Sequence, residues 1–386
     1  MDYNLTPDQE MLRGALREFA EGEIEPRAEE LDRNEEFSIE LTRKMAEMGL
    51  FGITVDAKYG GQGMDYLSYI IAVEEIARVD GSQAATVAAE NSLGISPLAK
   101  FGSEEQKQKY LPDLCAGKAL WGFGLTEPDA GSDAGASRTS AELKGGKWTI
   151  NGAKIFITNA ANELTRGCTV QCQTGSRPDG KPEISCIIVE SGTPGFTQKA
   201  MHKKMVWRAS NTAELYFDDV VVSEENLVGK RGEGFHQMLH TLDAGRLAIA
   251  AMGLGGAQGA YELAMKYAKE RRQFNQAIST FQVNAFKLAD CATEIEAARN
   301  LLYKACWLKD QGKPFRTLAA MAKLYCSEVM GRVANHAVQL HGGYGLMEEY
   351  KVARFYRDQK LLEIGEGTSE IQRLVIARDI GCYDIS

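Results

Sequence analysis

From residue 230 to its C-terminus the chain contains a single proline, Pro314. Three segments in this region, 247–274, 284–312 and 317–343, carry apolar residues at the period of long helices. They are rich in Ala and Gly and have few polar breaks, so they cannot all cover their apolar faces within one small domain. A helical bundle or a subunit interface is implied.

The first 120 residues also read as helical. Thr6-Pro7-Asp8-Gln9 has the form of a capping box with proline at the first helical position, and Leu12, Ala15, Leu16 and Phe19 follow on one face. Ser38 is a candidate cap with Gly49 as the stop, and Asp80-Gly81-Ser82 breaks the apolar stretch 67–102 into two helices. Between these helical regions the period changes. "KWTINGAKIFITN" reads as two β-rich runs about an Asn151-Gly152 turn, and "EISCIIVES" and "AELYFDDVVVS" are further strands. The expected fold class is α+β and mostly α, with a helical domain at 1–120, a β domain at 121–229 and a helical bundle at 230–386.

Bulk properties narrow the function. With 44 basic and 53 acidic side chains the net charge is −9, which disfavours a nucleic-acid partner or an anionic membrane surface. No apolar run is long enough for a membrane span, and the N-terminus lacks the basic and apolar parts of a signal peptide. Eight cysteines without CxxC spacing read as reduced thiols of a cytoplasmic protein, Cys168 and Cys172 as neighbours packed on one strand face. His236 and His240 in "HQMLH" are four apart, but the glutamate of the zinc signature is replaced by glutamine, so no metal is expected. There is no βαβ unit with GxGxxG, so a nucleotide cofactor would bind by another route.

Four segments ask for more than packing. "FGLTEPDAGSDAGASRTSA" opens the β domain with glycines and hydroxyls that suit a flavin edge or a phosphate. "KIFITNA" ends a strand in Thr158-Asn159, and "QLHGGYG" breaks two helices with a diglycine that admits close approach. "LLEIGEGTSEIQRLVIAR" sets one carboxylate, Glu366, between two glycines in an apolar setting.

Together with "TLDAGRLAIAAMGLGGAQGA" and "ERRQFNQAISTFQ", these segments resemble, in the same order, the acyl-CoA dehydrogenase family, in its short- or branched-chain bacterial type. The resemblance covers essentially the whole chain. It implies a central β-barrel-like domain between an N-terminal helical domain and a C-terminal four-helix bundle. It also implies FAD between the β domain and the bundle, with the site completed by a neighbouring subunit of a homotetramer, a dimer of dimers. By motif, Leu125, Thr126 and Ser132 would contact the flavin or thioester, and Phe156, Ile157 and Thr158 would wall the ring. Arg271, Phe274 and Gln282 with Gln339, Gly342 and Gly343 would reach the FAD of the partner, and Thr368 and Glu370 would complete its contacts. Asp243 and Arg246 would lie near the acyl-CoA, as would Ser132 and Gly367.

The implied reaction is α,β-dehydrogenation of an acyl-CoA in acid degradation, with electrons passed to an electron-transfer flavoprotein. Glu366 would be the base: a carboxylate in a dry pocket has a raised pKa, better matched to the α-proton of a thioester. Some members place the base just before the arginine of "TLDAGR"; that position here is Gly245. Two departures from the family bear on the substrate. Gly365 stands where many members have tyrosine, suggesting a branched, cyclic or aryl-bearing acyl group. Glu90 and Asn91 stand where relatives commonly have His and Thr at the blind end of the acyl cavity. The competing readings are an enoyl-CoA reductase working with an electron-transfer flavoprotein, and a non-catalytic flavin-binding or DNA-associated relative.

Overall fold

The computed structural model describes residues 4–383; residues 1–3 of the expected first domain and 384–386 of the expected last one lie outside the described residues. Seven α-helices come first: α1 Pro7–Phe19, α2 Glu25–Asn34, α3 Ile39–Glu47, α4 Tyr66–Ala77, α5 Gly81–Ala89, α6 Ser96–Phe101 and α7 Glu104–Cys115. Thr6 and Gln9 form the expected capping box on α1, and Ser38 and Asp80 cap α3 and α5. Each such cap is worth about 1 kcal/mol. Two π-helical turns, Ala20–Ile24 and Glu90–Ile95, interrupt the α-helical course.

Eight strands follow: β1 Leu120–Gly124, β2 Ser140–Lys144, β3 Lys147–Thr158, β4 Thr165–Ser176, β5 Pro182–Glu190, β6 Phe196–Ala200, β7 Thr212–Ser223 and β8 Leu227–Val228. They form one sheet in the order β6-β7-β3-β2-β4-β5-β8, with β1 parallel to β4. Its inward side chains, Trp148, Val170, Cys168 and Cys172 among them, make a separate core.

Asn151-Gly152 is not a turn. β3 runs straight through it, and the β2–β3 hairpin turns instead at Gly145-Gly146. The register of β3 against β7 slips between Ile150 and Gly152, the mark of a bulge. Gly152 has φ +144, and a Cβ there would sit 2.7 Å from Thr139 Cα. Asn151 meanwhile exchanges hydrogen bonds with Asp219 across the sheet. Close packing, rather than reversal of the chain, selects this glycine.

The rest is helical: α8 Gly234–Glu270, α9 Gln282–Asp310, α10 Arg316–His341, α11 Val352–Ile364 and α12 Ser369–Asp379, with a two-stranded β9–β10 ribbon (Arg272–Gln273, Gln276–Ala277) before α9. α10 packs along α8, α9, α11 and α12. α4 lies on α8 and α9, and one continuous hydrophobic core joins the N-terminal helices to the bundle. The Gly-rich middle of α8 allows this approach: a Cβ on Gly255 would collide with the Glu74 carbonyl at the end of α4. No described helix is long and apolar enough to cross a membrane, and no described cluster of His, Cys, Asp or Glu could hold a metal ion. The cysteines are unpaired, all buried except Cys382.

Candidate active site

Glu366 lies in the gap between α11 and α12. α11 stops at Ile364, Gly365 is extended, and Glu366 and Gly367 then take positive φ, 52° and 93°. A left-handed non-glycine residue costs about 1–3 kcal/mol and persists only where its surroundings enforce it. Here Thr368 caps α12 by accepting from the Ile371 N–H at 3.3 Å, and the Gly367 carbonyl accepts from Gln372 Nε2 at 2.9 Å and from Lys323 Nζ at 2.7 Å. The turn aims the carboxylate into the protein.

Oε2 of Glu366 is sealed from solvent and has no hydrogen-bond partner. Desolvation pushes the carboxyl up to about 7, against the pull of Lys323 and Arg246. The oxygen rests on α8 at Gly245, where any Cβ would collide with it. The two sequence positions that could supply a base therefore converge on one point in space, and glycine at one makes room for the carboxylate from the other.

The next residue of α8, Arg246, is buried, its Nη1 on Asp243 at 2.6 Å and its Nε without a partner. Arg316 approaches Asp243 to 3.8 Å. Gly367 adjoins the base, so Glu366, Gly367, Asp243 and Arg246 form one site.

The segments expected to face a flavin are stitched to each other. Thr126 accepts the Ile155 N–H at 2.9 Å, and Lys154 Nζ donates to the Leu125 carbonyl at 3.1 Å, so the loop carrying Leu125 and Thr126 lies on the strand carrying Phe156–Thr158. The knot is Glu127, which accepts from Lys154, Ser137, Arg138 N and Thr139 N. Burial pushes its carboxyl up, but Lys154 and the hydroxyl donors outweigh this and hold it at about 2. Neither Lys154 nor Glu127 carried a functional signal in sequence beyond its place within a quoted motif. A second register break, between Lys154 and Ile157, turns Phe156 outward with φ 63°, leaving it 61% exposed while Ile157 joins the β core. Thr158 is half-buried and Ser132 is exposed. Gly135 of the Ser132 loop packs against Phe235 in the first turn of α8, the helix that carries Asp243 and Arg246.

Other predicted residues lie elsewhere. Glu90 is fully buried in the second π-turn, where its Oε2 accepts from Trp121 N at 3.0 Å and Asn159 Nδ2 at 3.3 Å. Asn91 spends its amide on the backbone, donating to Leu50 and Val87 carbonyls and accepting from Ile53 N. Both therefore brace the N-terminal helices, Glu90 against the ends of β1 and β3. Arg271, Phe274 and Gln282 are exposed at the far end of α8, about 37 Å from Arg246 at about 1.5 Å rise per residue. There the Arg271 guanidinium lies over the Tyr344 ring, 5.6 Å from its centre, beside Gln339, Gly342 and Gly343. A Cβ on either glycine would meet open space. His341 stacks on Tyr267 and bonds the Ala337 carbonyl, a structural role. Glu370 is exposed in the first turn of α12.

Comparison with known proteins decides the family. Residues 6–118, 122–220 and 232–381 match in turn the N-terminal, middle and C-terminal domains of acyl-CoA dehydrogenase. The chain belongs to the acyl-CoA dehydrogenase family. It is 51% identical over 380 residues to a probable acyl-CoA dehydrogenase, YngJ, of Bacillus subtilis, covering 98% of this chain and 100% of that one. Over 368 residues it is 42% identical to subunit CarC of the caffeyl-CoA reductase-Etf complex of Acetobacterium woodii, covering 95% and 96%. Its fold is similar to that of butyryl-CoA dehydrogenase from Megasphaera elsdenii with a TM-score of 0.95 at 43% identity, covering 98% of this chain and 100% of that one. Within this acyl-CoA dehydrogenase family member, the helical, β and helical regions thus follow the family's order.

Proposed function

We propose that this chain oxidises an acyl-CoA between Cα and Cβ, with Glu366 as the base that takes the α-proton. The observation that carries the reading is the Glu366 carboxylate seated on Gly245, with one oxygen dry and unpartnered. A thioester α-carbon brought against that oxygen would meet a carboxylate near neutral pKa, the condition for efficient general-base catalysis. The Glu366 backbone N–H, presented by the left-handed turn, is the donor for the thioester oxygen; one such donor is worth about 2.7–4 kcal/mol in a transition state. Asp243 and Arg246 flank the entry of the CoA arm.

FAD fits the remaining residues. The exposed Phe156, Thr158 and the Leu125–Thr126 loop offer a face for the ring, and the open Gly342-Gly343 edge beside Arg271 offers a berth for a phosphate. When bound it would supply the acceptor for the β-hydride. The Arg271 group lies at the far end of α8, about 37 Å along the helix from Arg246, which favours its serving the cofactor of another copy of the chain. A second copy supplying the Arg271 group, in a dimer of dimers, completes the site. We take residues 120 and 229 as the domain limits of this arrangement.

For the substrate we infer a short acyl group with lateral room for a branch or ring, supported by the likeness to butyryl-CoA dehydrogenase and by Gly365, where a Cβ would meet only Leu361 of the same helix. A panel of straight, branched, cyclic and aryl-substituted acyl-CoAs with an artificial electron acceptor tests this. Activity confined to long straight chains would contradict it. The likeness to CarC favours a second reading, reduction of an enoyl-CoA with an electron-transfer flavoprotein as partner. The same residues serve both directions, and the reduction potential of the bound flavin with each acyl pair distinguishes them.

A further inference from the structure

One buried cation beside the site has no part in the reaction as described. Lys323 on α10 has no exposed surface. Burying an ammonium is costly unless its charge is compensated. Its Nζ donates to the Gly367 carbonyl at 2.7 Å, the same oxygen that Gln372 Nε2 holds at 2.9 Å; Gln372 also reaches the Glu366 carbonyl at 3.4 Å. Two donors on one carbonyl thus close the left-handed turn from beneath.

The neighbouring charges are otherwise committed. Lys323 faces Glu366, Arg246 on α8, Glu363 at the end of α11 and Glu370 on α12. Glu363 is paired with Lys360 at 2.6 Å, Arg246 with Asp243 at 2.6 Å, and Glu370 is exposed. Glu366 in turn faces Lys323 and Arg246, with the Tyr66 and Tyr69 phenols of α4 as further titratable groups in its field. The carboxylate left to balance Lys323 is the base itself.

We propose that Lys323 is a positioning residue for Glu366: its ammonium pins the Gly367 carbonyl, which fixes the turn that aims the base, and supplies the buried positive charge beneath the carboxylate. The proposal rests on the reading of Glu366 as the base. Burial pulls the Lys323 ammonium down and pushes the Glu366 carboxyl up, and each favours the charged form of the other. A neutral side chain at 323 removes a force that favours the carboxylate, and the Glu366 carboxyl must then ionise at higher pH.

The test uses flavin-loaded Lys323→Met and Lys323→Gln proteins, with two readouts. One is the acidic limb of kcat/KM against pH. The other is the infrared band of the protonated Glu366 carboxyl, assigned by its loss in Glu366→Gln and titrated without substrate. Both midpoints should move up by about one pH unit or more in each variant. Gln, which still donates to the Gly367 carbonyl, should recover more of the plateau kcat than Met while leaving the shifted midpoints unchanged. If Lys323→Met does not fold, the Gln variant carries the same two titrations. Unmoved midpoints with an inactive Glu366→Gln would overturn the role of Lys323 alone. A fully active Glu366→Gln would overturn the base assignment and this proposal with it.

Discussion

Two carboxyls in this molecule, Glu366 and Glu90, are both buried, both pushed up by desolvation, and both have one oxygen without a hydrogen-bond partner. Their surroundings differ. Glu90, drawn up to about 8, has only a backbone N–H and an amide for company and joins β1 and β3 to the π-turn. Glu366, at about 7, sits in a left-handed turn between glycines with Lys323 and Arg246 nearby. Burial raises both; the cations decide which is the readier to ionise at neutral pH. On the proposed reading Glu366 serves as the base, while Glu90 serves as a strut.

The comparison breaks most visibly on exchange of each for its amide. Glu366→Gln should retain flavin and substrate binding and lose about 10²–10⁴ in kcat, the usual contribution of a general base, in steady-state turnover with a dye acceptor. Gly245→Ala, which forces the carboxylate off its seat, should cost about 10² in kcat, with KM changed less. Glu90→Gln should keep kcat within about threefold, since a neutral amide replaces a neutral acid.

The smallest effect concerns stability. A carboxyl whose pKa rises on folding stabilises the protein fully below its unfolded value, and that contribution is lost as pH rises through the folded value. For Glu90 this window runs from about 4.5 to about 8. Each released proton tilts stability by at most about 1.4 kcal/mol per pH unit. Thermal melts of Glu90→Gln should therefore decline less than wild type between pH 5 and pH 8. Parallel curves would mean that Glu90 is already ionised.

What was legible in the sequence was local or motif-borne. The caps at Thr6 and Ser38 sit where a hydroxyl precedes an apolar period, the break at Asp80-Gly81-Ser82 marks the start of α5, and the long helices follow from their own period. Asn151-Gly152 misled because the same dipeptide serves a turn and a bulge, and only the Thr139 backbone beside it decides. β1 went unread, and β4 was glimpsed only through Cys168 and Cys172, because strands buried on both faces lose the alternation that marks a half-buried strand. Glu366 was visible through its flanking glycines and its motif. Lys323 was not: in a helix of period 3.6 a lysine reads as solvated, and its burial comes from the carbonyl of a turn 44 residues on in sequence. The brace made by Glu90 and Asn91 was hidden for the same reason, since their partners Trp121, Asn159 and Leu50 lie on other elements.

The central claim is that Glu366, and no other buried acid, exchanges a proton with the substrate α-carbon. An acyl-CoA analogue with sulfur in place of the β-carbon cannot give up a β-hydride, so its α-proton exchange with deuterium oxide reports the base alone. By NMR or mass spectrometry, wild type and Glu90→Gln should exchange at similar rates that rise through about pH 7, and Glu366→Gln should not exchange measurably. Exchange by Glu366→Gln at the wild-type rate would contradict the account.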